Sequence, residues 1–290
     1  MIRRPLSELT LKDNFLFAAV MMYPKNCKKL LELVLGREIQ RVEVDREKSL
    51  IYNPDYKGVR LDVFAKDENN THFNVEMQVR REHLERRARY YHSHMEMLFH
   101  DADYRELPDS YVIFLCDFDP FYGGKYCYTI GQCIREAPEL GYDDGSHTII
   151  LSTKGRNAEE VSPRLVKFLQ FLSADLDGSE EDYGDEYISE LQKTIQQVKT
   201  SREMGERYML FEEMLKDERA EGRAEGRTEG MFLQLIKMTC NMRSRGKAAE
   251  QIAEELGEDY ALIESICIEA DAFAPAYDAE QIYEVLKEQI

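Results

Sequence analysis

An α/β fold, with a sheet flanked by helices and an α-helical C-terminal region, is predicted by three observations on this 290-residue chain. Short apolar segments of strand character recur between residues 39 and 151. Segments of helical periodicity precede them and lie between them. Beyond about residue 155 the strand signals stop and helical patterns alone remain.

Taken in order, Leu9 to Asp13 has the spacing of a capped helix start, and Phe15, Leu16, Ala19, Val20 and Met22 follow at helical intervals. A second helix is expected over 26–35, stopped by Gly36. Strands are expected over 39–44 and 49–52, followed by a turn at 53–55. Next comes a hairpin. Val59, Leu61, Val63 and Ala65 share one face of its first strand, as Phe73, Val75, Met77 and Val79 do on its second, which is the alternation of a half-buried pair. Arg60, Asp62, Asn74, Glu76 and Gln78 fall on the other face. With the turn at 67–71 centred near Asn69, paired residue numbers sum to about 138, so Asp62 is expected opposite Glu76. A long helix over 81–99, a strand over 111–118, a turn at 120–124 and strands over 126–133 and 147–151 complete this part, which is expected to end near residue 155. The acidic segment 175–186, with Gly178 and Gly184, is expected to be a loop within the helical region of 156–290.

Two carboxylates placed directly across a hairpin repel, so the arrangement calls for exposure of both or for a cation between them. Mg²⁺, which keeps several waters and takes one or two carboxylates, suits an Asp and a Glu. Spacing alone is equally served by two solvated acids on the outer face of the hairpin.

At these residues the chain resembles the PD-(D/E)xK nuclease superfamily, in particular its recombination-promoting nuclease and transposase branch, the Rpn-like family. The match is Asp62, then Glu76-Met77-Gln78 in an E-x-Q pattern, with Leu11 to Phe17 upstream, Arg87 to Tyr91 in the helix after the hairpin, the strand around 111–115 and the Glu-Gly repeats downstream. The resemblance implies a restriction-endonuclease-like mixed sheet and phosphodiester hydrolysis in DNA. It further implies Mg²⁺ or Mn²⁺ as cofactor, held by Asp62, Glu76 and the Met77 carbonyl. Asp13 is a candidate third carboxylate, with helix capping as its alternative. Gln78 stands where the superfamily has lysine, so the missing charge is sought at Arg60 or Arg87. Surface ion pairs are the plainer reading of both. Catalytic residues on this reading are Asp62, Glu76 and Gln78; Arg60, Arg80, Arg87 and Tyr91 are the DNA-binding candidates, with packing the alternative for Tyr90 or Tyr91.

The charge is unevenly spread. The whole chain carries −18, of which residues 1–178 hold −4 and 179–290 hold −14. A basic stretch, Arg80 to Arg89, directly follows the acidic hairpin and suits a phosphate backbone. The six cysteines (Cys27, Cys116, Cys127, Cys133, Cys240, Cys267) lack metal spacing and read as reduced small hydrophobes. His92 and His94, two apart on a helix, face different ways and read as ordinary helix residues. No leader or membrane-length apolar run is evident, so a soluble, cytoplasmic chain is expected.

Arg219 to Gly230 repeats every four residues, so on a helix Gly222, Gly226 and Gly230 would line one stripe and let a second helix approach, with a flexible linker as the alternative. A homodimer through the helical region is expected on this ground. Residues 247–256 and 260–270 resemble a helix-turn-helix, but the second helix has neither Lys nor Arg, which favours a packing or dimer role over base reading. The rival to a nuclease is a weak or inactive relative that uses the same scaffold to bind DNA or protein, with Gln78 and the acidic tail in its favour.

Overall fold

The computed structural model describes residues 4–45, 63–81, 83–99 and 103–287. Asp62 and Arg60, with the expected strand over 49–52 and the turn at 53–55, lie outside the described residues. Six strands form one mixed sheet: β1 (Val42–Asp45), β2 (Val63–Asp67), β3 (His72–Gln78), β4 (Ser110–Cys116), β5 (Cys127–Ile130) and β6 (Ser146–Ser152), in the order β1-β2-β3-β4-β6-β5. The pairs β3/β4 and β4/β6 are parallel; β1/β2, β2/β3 and β5/β6 are antiparallel.

The hairpin β2–β3 has the expected register over its described part, pairing Val63 with Val75 and Lys66 with His72. Its turn is fixed by Asp67, whose Oδ1 accepts from the amides of Asn69 and Thr71, both at 2.9 Å, while Asn70 takes a left-handed φ of 62°. The expected half-exposure of the hairpin is corrected here. Every residue of β3 is buried, Asn74, Glu76 and Gln78 included. The reason is α3 (Leu84–Glu96), which follows β3 and lays Leu84, Ala88, Tyr91 and Met95 against Phe64, Val112, Phe114 and Ile150. Those residues of β2 and β4 pair with Asn74 and Glu76, so the face expected to meet water lies beneath a helix.

His92 of α3 meets the opposite end of β4 and β6. Its ring nitrogens lie 2.8 Å from Ser110 Oγ and 3.0 Å from Thr148 Oγ1, and burial pushes its pKa down to about 4, with Asp144 opposing and His147 adding to the fall. A base with a depressed folded pKa gives its full stability above its unfolded pKa of 6.5 and loses it as the pH falls toward 4. Because the ring is partly exposed, solvent screening reduces the effect to about 1–2 kcal/mol. Thermal melts of the wild type are expected to show this loss between pH 6.5 and 4, and His92→Gln to lack that component.

The α1 helix (Asn14–Met21) packs against β3 and α2 (Pro24–Leu35) against β1; α2 stops at Gly36, whose φ of 66° is left-handed. Among the described residues, the first compact unit extends to Met209, beyond the expected boundary near 155. That boundary is corrected by α4 (Pro163–Ser173) and α5 (Glu186–Thr200), which pack on α1 and α2. Fully buried Tyr187 of α5 donates its hydroxyl to the Asn26 carbonyl at 2.9 Å and stacks on Phe168, and Glu190 pairs with Lys25 and Lys29 at 2.6 and 2.5 Å. The strand signals end near 155, but the apolar faces of these helices are needed to cover the sheet unit.

The division between units falls within α6 (Arg202–Ser244), which is helical throughout the Gly repeat. Among the described residues, a Cβ added at Gly222, Gly226 or Gly230 would meet nothing within 4 Å. The second unit holds α7 (Ala249–Leu256), α8 (Tyr260–Ala272) and α9 (Ala279–Leu286). Ile252, Ile263, Ile266, Ile282 and Leu286 form its core with Ile236 and Cys240 of α6. All six cysteines are free, and no described helix is long and apolar enough to cross a membrane.

Candidate active site

Alternation along β3 sets Asn74, Glu76 and Gln78 side by side on the face under α3. Glu76 is the centre. It is 1% exposed, and its Oε2 accepts from Arg87 Nη2 at 2.5 Å and from Gln78 Nε2 at 3.1 Å, while Oε1 accepts from Asn74 Nδ2 at 3.3 Å. Arg87 reaches it from the first turns of α3 and uses its planar fork on two groups at once, since Nη1 donates to Gln78 Oε1 at 2.7 Å. Arginine has no acceptor, so this contact fixes which end of the Gln78 amide faces Glu76.

Tyr91, one helical turn after Arg87, accepts from Arg87 Nη2 at 2.7 Å, and the guanidinium lies 5.5 Å from its ring centre and 5.9 Å from that of Phe114. Burial raises the Tyr91 phenol well above its ordinary pKa, and the negative charge of Glu76 raises it further, so the hydroxyl stays protonated. An isolated buried carboxylate would cost several kcal/mol; here a guanidinium and two amides meet it. Asn74 Oδ1 is the remaining buried oxygen of the group and has no hydrogen-bond partner among the described residues.

The C-terminal ends of β3 and β4 carry a second polar group that sequence reasoning missed. Asp117 follows β4 and donates its amide to the Gln78 carbonyl at 2.9 Å. Its carboxylate takes Thr153 Oγ1 at 2.8 Å and Lys154 Nζ at 2.9 Å, with Lys12 Nζ at 3.7 Å. The signal available in the sequence was an acid at the end of a parallel strand, where open α/β sheets bind ligands. Asp13, next to Lys12, is the N-cap of α1: its Oδ1 accepts from the amides of Phe15 and Leu16 at 3.0 and 3.4 Å. Capping is therefore observed, although the helix starts at Asn14 rather than after Thr10.

Among the other candidates, Met77 is buried in β3 between Glu76 and Gln78, and Arg80 is exposed just beyond the strand. Arg87 is no surface ion pair, since its partner is buried. Of the tyrosine pair, Tyr91 is buried and packs α3 against the sheet, while Tyr90 is 41% exposed. A phosphate contact by Tyr91 is thus not available at the surface, because its ring and hydroxyl are given to the α3–sheet interface.

No cluster of three or more His, Cys, Asp or Glu suited to a metal occurs among the described residues. Glu76 offers carboxylate oxygens, the donor type a hard divalent cation takes, and the orphaned Asn74 Oδ1 is a second oxygen on the same strand face, while the groups bonded to the carboxylate are nitrogens of Arg87, Gln78 and Asn74.

A mixed sheet with a buried E-x-Q strand under a basic helix defines the class as a nuclease-type α/β fold. The chain belongs to the PD-(D/E)XK nuclease family transposases, whose family model matches residues 27–225. That span includes Glu76, Gln78, Arg87, Tyr91 and Asp62, and excludes Asp13. No curated protein and no solved structure matches the chain.

Proposed function

We propose that this protein is a metal-dependent DNA endonuclease that hydrolyses phosphodiester bonds. The observation that carries the reading is Glu76, a buried carboxylate at the centre of a polar set inside a nuclease-family sheet, paired with a cation from the next helix. Asp62 directly precedes β2 in the chain, and Val63 pairs with Val75, the residue before Glu76. On this reading Asp62, Glu76 and the Met77 carbonyl hold Mg²⁺ or Mn²⁺. A bound ion of that kind acidifies a water and offsets charge on the scissile phosphate.

The chain's own side chains do the rest. Arg87 supplies the positive charge that Gln78 lacks, and Gln78, oriented by Arg87, hydrogen-bonds the attacking water or a phosphate oxygen. Arg80, exposed beside the strand, attracts the backbone, with Arg60 as a further candidate. Asp13 is the weaker third ligand, since its carboxylate serves the amides of α1. Supercoiled-plasmid cleavage tests the reading. Nicking with Mg²⁺ or Mn²⁺ is expected from the wild type and neither with EDTA nor from Asp62→Ala; an Asp62→Ala variant that still cuts would remove Asp62 from the site.

A second reading is a DNA- or protein-binding module without turnover. The internal pairing of Glu76 with Arg87, Gln78 and Asn74 favours it, because those contacts are also what a structural carboxylate requires. Self-association through α6, whose glycine stripe is open, fits double-strand cutting by two active sites. A purely monomeric species in sedimentation velocity at micromolar concentration would count against it.

A further inference from the structure

The loop between β4 and β5 is built to hold two aromatic rings in water. Asp119 organises it: Oδ2 accepts from the Gly124 amide at 2.7 Å, and Oδ1 accepts from the Phe121 amide at 3.2 Å and from the Tyr128 hydroxyl at 2.9 Å. The Gly124 carbonyl accepts from the Arg156 amide at 2.8 Å. At Gly123 a Cβ would come within 2.9 Å of the Tyr128 hydroxyl, so a side chain there would press on the group that Asp119 holds. Pinned this way, the loop carries Phe121 at 47% and Tyr122 at 80% exposure.

Tyr122 has a φ of 57°, a left-handed conformation that is costly for a bulky residue. Such cost at an exposed residue points to use of the ring outside the fold. Arg81 backs that ring. Its guanidinium lies 4.0 Å from the Tyr122 ring centre and 5.6 Å from that of Phe118, and its Nη2 donates to the Asp119 carbonyl at 2.9 Å. One face of Tyr122 is therefore held by a cation while most of the ring remains open. Arg80, Lys154 and Arg156 are exposed around this loop or at its base. The base of the loop is Asp117, bonded to the Gln78 carbonyl, so the platform rises from the strand end beside the candidate site.

From this geometry we infer that Tyr122, braced by Arg81, is a stacking platform for an unpaired DNA base, with the flanking phosphates met by Arg80, Lys154 and Arg156. The inference rests on the DNA reading above and narrows it to substrates with single-stranded character. Every base has a π-face, so stacking accepts any sequence, whereas a base within a duplex has no free face to offer. Arg81 contributes to the backbone's charge balance as well as to the ring's position.

The test is fluorescence anisotropy with a labelled mixed-sequence oligonucleotide, single-stranded or annealed to its complement, in EDTA so that no cleavage intervenes. The full-length wild type is expected to bind the single strand more tightly than the duplex. Tyr122→Ala should weaken single-strand binding by about 5- to 100-fold and leave duplex binding unchanged, while Tyr122→Phe keeps both. Unchanged single-strand affinity in Tyr122→Ala, or an equal loss on both substrates, overturns the platform, as does a wild type that prefers the duplex. Plasmid cleavage by the wild type separates the two readings. Cutting without Tyr122-dependent binding removes the platform alone, and Tyr122-dependent binding without cutting upholds the platform while removing the nuclease.

Discussion

Replacing Arg87 by methionine is expected to lower plasmid cleavage by about 100- to 1,000-fold, the usual effect of removing one pre-placed charge donor from a reacting phosphate or oxyanion. Adding Gln78→Lys to that variant is expected to restore much of the loss. In the wild type Arg87 Nη1 donates to Gln78 Oε1 at 2.7 Å and Nη2 meets Glu76 Oε2 at 2.5 Å, so one guanidinium occupies the space that a lysine at position 78 would need. Gln78→Lys alone therefore removes an acceptor, sets two cations side by side, and is expected to cost about 1–3 kcal/mol without a gain in rate. Arg87→Met leaves Glu76 buried without its cation. Breaking such a pair costs about 3–5 kcal/mol, and Arg87's 27% side-chain exposure places this case at the lower end. The measurements are initial rates and denaturant melts for the two single variants and the double. A fully active Arg87→Met, or a Gln78→Lys that is faster by itself, would show that Arg87 does not replace the missing lysine.

Glu76→Gln separates catalysis from architecture. The amide oxygen still accepts from Arg87, so the fold is expected to survive with a loss of about 1–3 kcal/mol. Cleavage is expected to fall at least about 100-fold, since even indirect supports of a metal ligand cost 10- to 100-fold. Calorimetry distinguishes the variants: Mn²⁺ binding should vanish in Glu76→Gln and persist in Arg87→Met. Full activity in Glu76→Gln would make Glu76 a structural carboxylate and favour the binding-module reading.

Part of this site was legible in the residues. The β2–β3 register followed from strict alternation and from the Asp67–Thr71 turn, both local properties of the chain. The pairing of Arg87 with Tyr91 follows from their separation by one helical turn. What Arg87 reaches was not legible, because Glu76 lies eleven residues away across a loop whose path no local rule specifies. The exposed face assigned to Glu76 and the boundary near 155 share one cause. In each case a helix from elsewhere, α3 or the α4–α5 pair, covers a surface that the local pattern leaves open. The Asp117 cluster was missed for a similar reason, as its members come from four separate segments.

The sequence by itself determined the α/β class, most strand and helix positions, the E-x-Q strand and its register, because periodicity, turn chemistry and capping act over a few residues. The tertiary structure alone decided that Glu76 is buried and balanced by Arg87, that α4 and α5 complete the sheet unit, and that Tyr122 stands exposed on Arg81. Each of those depends on which distant surfaces exclude water from one another, and that is a property of the packed chain rather than of any segment within it.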